Sequence, residues 1–78
     1  MNAVKQMNRH RRVRHLVRQQ GWIPVDAELN DFLYWDMRRW CEQMFGPNDW
    51  DGSLRGHTGV KFAFKNHRDA MLFTMRWI

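Results

Sequence analysis

The sequence predicts a mixed α+β fold, with elements in the order helix, short strand, helix, strand, strand, helix. Three observations predict it. Within residues 27–45, Leu29, Leu33, Met37, Trp40 and Met44 fall on one face at the helical period, with Cys41 on its flank. Residues 60–65 alternate instead, as a half-buried strand with Val60, Phe62 and Phe64 inward and Lys61, Ala63 and Lys65 on the open face. Between these runs, residues 46–59 hold four of the five glycines with Pro47, Asn48, Asp49, Asp51, Ser53 and Thr58, a composition that turns the chain.

The remaining elements follow from local chemistry. Residues 1–20 contain neither Gly nor Pro and are compatible with a helix that Gly21 stops. Val13, Leu16, Val17 and Gln20 share one face of it, so its second half is expected to dock on the body. Trp22–Val25 is a short apolar run, and Pro24 restricts it to an edge strand or an extended segment because proline has no N–H to give a neighbour. Asp26 reads as an N-cap, with Ala27 and Glu28 in the first turn of the 27–45 helix. Arg38 and Glu42 are spaced as an i,i+4 pair on its far side, and Gly46-Pro47 ends it. Trp50, Gly52 and Leu54 alternate within a strand 50–55, turned by Gly56-His57-Thr58-Gly59 into the 60–65 strand. Asn66 caps the last helix, with Asp69 at N3 as a short capping box. Ala70, Phe73, Thr74 and Trp77 form its stripe, extended by Met71, Met75 and Ile78.

With antiparallel strands and the two later helices on one face, the body at 21–78 is an open ferredoxin-like βαββα sandwich lacking a fourth strand. A basic helix at 1–20 precedes it. Such a short chain buries little, and its single cysteine allows no internal disulfide. Five Trp, five Phe and one Tyr supply the bulk that makes a small core sufficient. Cys41, on an apolar flank, reads as a small buried hydrophobe.

Charge is the most informative functional feature. Of the 13 basic side chains, Lys5, Arg9, Arg11, Arg12, Arg14 and Arg18 precede Asp26, and none of the 8 acidic ones does. Residues 1–25 therefore carry +6 and the rest −1. A like-charged block gains most on meeting a polyanion, and arginine binds phosphate bidentately and stacks on bases. These six residues are the candidate nucleic-acid contacts, with RNA favoured because arginine-rich segments commonly bind it. The alternative partner is an acidic protein surface. A second candidate surface is Phe32, Trp35 and Arg39, at i, i+3 and i+7 off the main stripe, of residue types enriched at protein interfaces. It predicts a protein-interaction module, an inhibitor of another protein or a homo-oligomer. The competing reading is that the N-terminal helix or the sheet covers it.

Other classes are disfavoured. No pair of Cys or His has a C-x2-C or H-x3-H spacing, so no metal and no cofactor is expected. Asp49, Asp51, Gly52 and His57 lack an EF-hand's spacing and read as turn chemistry. No paired-carboxylate or Ser/His/Asp pattern supports an enzyme. No apolar run reaches the roughly 18–20 residues that span a bilayer, and no membrane partner is expected. An unpaired cysteine without an apolar leader segment predicts a reducing cytoplasm.

Two resemblances add to this reading. Gly59-Val60-Lys61-Phe62-Ala63-Phe64, Asp69-Ala70 and Phe73 resemble the strand-three-to-helix-two passage of ferredoxin-like modules. In RNA-recognition motifs that strand offers exposed aromatics to bases; here Phe62 and Phe64 share a face with Val60 and read as core, so that mode of binding is not implied. Trp40-Cys41, Phe45-Gly46, Phe62, Phe64, Asp69-Ala70, Phe73 and Arg76-Trp77 resemble short bacteriophage-encoded proteins of uncharacterised function. That resemblance covers about half the chain and implies a phage-like origin without implying an activity.

Overall fold

A computed structural model describes residues 2–27, 31–54 and 59–78, with side chains described from residue 9 onward except at 31 and 32. Three helices and three strands run α1 (Asn2–Gln20), β1 (Ile23–Ala27), α2 (Asp31–Phe45), β2 (Trp50–Leu54), β3 (Val60–Phe64) and α3 (His67–Trp77). The strands form one antiparallel sheet in the order β1-β3-β2.

The register sorts the side chains by face, because directly paired residues of antiparallel strands point the same way. Ile23, Trp50 and Phe64 share one face with Val25, Gly52 and Phe62, and with Ala27, Leu54 and Val60. Pro24, Asp51 and Ala63 share the other with Asp26, Ser53 and Lys61. Helices α2 and α3 cover the aromatic face. Phe62 meets Tyr34 at a ring-centroid distance of 5.9 Å and Phe73 at 4.7 Å, and Phe64 meets Phe73 at 5.1 Å and Phe45 at 5.8 Å. Helix α1 covers the opposite face, burying Val13 and Leu16 against β2 and β3.

The placement of α1 corrects two expectations. Strand β3 is not half-buried: Ala63, expected on an open face, is fully buried beneath α1. Nor is α1 a cover for the Trp35 side of α2, because the sheet lies between them. Gln20, grouped with the docking face, is exposed where the helix ends. The ends of α1 and α2 fall as expected, with Gly21 at φ 70° and Gly46 at φ 78°. The Gly46 N–H returns to the Glu42 carbonyl at 2.9 Å, the single bond of a left-handed helix cap.

Helix α2 differs from expectation at its start and in its phase. Asp26 and Ala27 belong to β1, paired with Lys61 and Val60, so Asp26 is not an N-cap and Ala27 not a first turn. Glu28 and Leu29 lie outside the described residues, and the helix begins at Asp31. Its buried line is Tyr34, Met37 and Cys41, while Leu33 and Trp40 are half-buried and Met44 is exposed. Tyr34 displaces the expected stripe because its hydroxyl has a buried partner: it donates to the Gly52 carbonyl at 3.0 Å. A polar tip with a partner lets the whole ring go inside. Arg38 does not serve a helical pair with Glu42; its guanidinium donates to the Gly52 carbonyl at 2.9 Å.

Helix α3 starts after Asn66 as expected, but the cap bond differs. The Asn66 side chain donates to the Asp69 carboxylate at 3.3 Å and makes no bond to a helix N–H. Ala70 and Phe73 are buried and Trp77 is half-buried, whereas Thr74, Met71, Met75 and Ile78 face solvent. The 56–58 turn lies outside the described residues.

Candidate nucleic-acid interface

Helix α1 is held by its apolar side, which determines where its charges go. At 3.6 residues per turn, Arg11, Arg14 and Arg18 recur at i, i+3 and i+7 and stand opposite the buried pair Val13 and Leu16. All three are exposed, as are Arg9, Arg12 and His15. The side chain of Lys5 lies outside the described residues. The helix thus displays a row of guanidinium groups on a surface fixed to the sheet, not on a free tether.

Arg12 is diverted from that row. It stands on the helix flank and pairs with the Asp51 carboxylate at 3.1 Å. Asp51 projects from the outer strand β2, and Arg38 approaches it from the other side of the sheet at 3.8 Å. The same carboxylate accepts the Gly52 N–H at 2.8 Å. At Gly52, therefore, both outward backbone groups of an edge strand are satisfied by side chains, which blunts the edge against pairing with other chains. Arg38 also lies over the Trp50 ring at 4.8 Å. Asp51 is accordingly not turn chemistry: it is a strand residue joining α1 on one face to α2 on the other.

Between α1 and the outer face of the sheet runs a groove of about 560 Å³. Arg14 and Arg18 form its helix side, with His10 and Val17; Pro24, Asp26, Ser53 and Lys61 form its sheet side. Lys61 was legible in the sequence only as an outward strand lysine. Its ammonium lies 3.8 Å from the carboxylate of Asp26, its cross-strand partner. Arg14, Arg18 and Lys61 outnumber Asp26, leaving the groove cationic.

The second surface is only partly described. Trp35 is 59% exposed, its ring edge-on to Tyr34 at 5.0 Å. Arg39 is exposed and 3.9 Å from Asp36. The Phe32 side chain lies outside the described residues, so the three-residue cluster is not assembled among them. Beside it, a shallow cleft of about 300 Å³ separates α2 from α3, lined by Leu33, Asp36, Arg39, Trp40, Gln43, Arg76 and Trp77.

Reactive chemistry is sparse in the described residues. Cys41 is fully buried, and burial pushes its thiol up to about 12, with the Arg38 charge drawing it partly back, so it stays protonated and unreactive at neutral pH. Among the described residues no group of three His, Cys, Asp or Glu side chains is placed to hold a metal ion, and no helix is long and apolar enough to cross a membrane. No protein-family model, curated protein or solved structure matches the chain.

Proposed function

We propose that this chain is a small nucleic-acid-binding regulatory protein, with RNA as the preferred partner, that acts by binding and not by catalysis. One observation carries the reading: Val13 and Leu16 anchor α1 to the sheet, so the exposed guanidinium groups of Arg11, Arg14 and Arg18 project from a rigid support. Preorganised cations bind phosphates with less ordering cost than a free arm would incur. Lys5, Arg9 and Arg12 complete the proposed set of contacts, with Arg9 four residues before Val13 and therefore on the other side of the helix from Arg11, Arg14 and Arg18. We read the body as an open ferredoxin-like βαββα sandwich, a reading supported by the antiparallel order β1-β3-β2 and by α2 and α3 sharing one face. A phage-like origin and a reducing cytoplasm belong to the same proposal.

The test is the salt dependence of binding. Neutralising about five phosphates gives log K a slope of about −3.5 against log salt on single strands and −4 to −5 on duplex. Replacing Arg9, Arg11, Arg12 and Arg14 together with Gln should flatten that slope. Absence of binding by the wild type at low salt refutes the proposal, as does an unchanged slope in the variant.

A second reading, a protein-interaction module, is favoured by the exposed ring of Trp35 beside Arg39. It predicts self-association or capture of a protein with an acidic surface. Trp35→Glu should shift a monomer–dimer equilibrium in sedimentation toward monomer without loss of helical signal.

A further inference from the structure

We infer that the groove between α1 and the sheet, and not the outer row of α1 alone, holds the phosphodiester backbone of a single strand, with Lys61 as a contact. The inference rests on the nucleic-acid reading above and deepens it by naming a site and a strand state.

Three features of the groove support it. Its cations come from two elements: Arg14 and Arg18 from α1, Lys61 from β3. Charges facing one another across a recess concentrate positive potential more than a row on a convex helix does. The groove is recessed, with Val13, Val17, Pro24 and Ser53 among its lining residues. A rigid duplex meets a protein with broad grooves and paired backbones, whereas a single strand can lay its backbone into a narrow charged channel. The described lining offers cations and small side chains but no Phe, Tyr or Trp on which a base could stack. Binding there is therefore to the backbone, tolerant of sequence and strongly salt-dependent.

Asp26 gives the inference its sharpest consequence. Its carboxylate lies in the groove and holds the Lys61 ammonium at 3.8 Å. An incoming phosphate must compete with that carboxylate for Lys61 and is repelled by it. Removing the charge at Asp26 should then strengthen binding, an effect that would be smaller for a site centred on Arg11, which stands outside the groove lining.

The experiment measures anisotropy of a labelled oligouridylate of about 15 nucleotides, long enough to fill a site of this kind, and of the matching duplex. Lys61→Gln should weaken single-strand binding about eightfold near 50 mM salt and make the salt slope shallower by about 0.7, the effect of one lost contact. Asp26→Asn should tighten it about fivefold, the scale of one unit charge about 4 Å away in water. Lys65→Gln, which makes the same change in net charge at an exposed residue outside the groove lining, should change affinity much less. Thermal midpoints of the three variants verify that each is folded, and the Asp26 variant tests the site even if Lys61→Gln were to unfold. Wild-type binding that Lys61→Gln and Lys65→Gln weaken equally, or that Asp26→Asn leaves unchanged, overturns the groove while leaving nucleic-acid binding by α1 intact. A duplex bound as tightly as the single strand also overturns it. No binding of either probe at low salt overturns both this inference and the functional reading.

Discussion

Replacing Gly52 with alanine should destabilise the protein by about 2–3 kcal/mol, and the reasons are local. A Cβ at this position would lie 2.5 Å from Phe62 Cε2, 2.8 Å from Cδ2 and 2.9 Å from Cζ. These are ring atoms of a fully buried side chain wedged among Tyr34, Trp50, Phe64 and Phe73, so the ring has nowhere to go. Strand β2 must move outward instead, by about 1 Å to restore ordinary contact between carbons. That movement carries the Gly52 carbonyl away from the Tyr34 hydroxyl and the Arg38 guanidinium, which hold it at 3.0 and 2.9 Å. Overpacking a filled core costs about 1–3 kcal/mol, and each weakened hydrogen bond costs up to about 1 more. Alanine recovers up to about 1 kcal/mol by restricting the unfolded chain. A chain of this length has a total stability of about 4–12 kcal/mol, so the loss is a large share of it. Urea titration followed by tryptophan fluorescence would read it as a midpoint lowered by about 2–3 M at a slope near 1 kcal/mol per M. A paired variant sharpens the test. Phe62→Leu loses contacts by itself but opens the space that the added methyl group needs, so the double variant should be more stable than the sum of the single effects implies. A Gly52→Ala midpoint within error of the wild type, or strict additivity in the cycle, would refute the steric account.

Two further outcomes follow from the same packing. Trp40→Ala should cost about 2–4 kcal/mol, because the half-buried ring meets Phe45, Phe73 and Trp77 at 5.4, 6.2 and 6.3 Å, whereas Trp35→Ala should cost less than about 1; equal destabilisation in thermal unfolding would mean the phase of α2 is wrong. The Cys41 thiol is raised by burial from an ordinary 9.0 to about 12. The folded state therefore keeps a proton that the unfolded state releases; stability is fully present below pH 9 and falls as pH rises toward 12, and thiol reagents at about pH 8 should label Cys41 only in denaturant.

Much of the architecture is legible in the sequence because its signals are local. Gly21 and Gly46 mark helix ends, since a left-handed backbone follows from the missing Cβ and needs no distant partner. The alternation of Val60, Phe62 and Phe64 places an inward aromatic face, and the acid-free run before Asp26 places a cationic helix. What tertiary structure decided is which surfaces meet. Ala27 reads as a first helical turn after an Asp26 cap, and pairing with Val60 makes it strand instead. Tyr34 reads as a polar-tipped ring off the stripe, and the Gly52 carbonyl, 18 residues away, provides the partner that draws it inside. Lys61 alternates outward in any register. Only the docking of α1 on that face, through Val13 and Leu16, sets Lys61 across a groove from Arg14 and Arg18. Period and composition act along the chain, whereas a site built from two elements depends on how their faces pack, and that is a property of the folded whole.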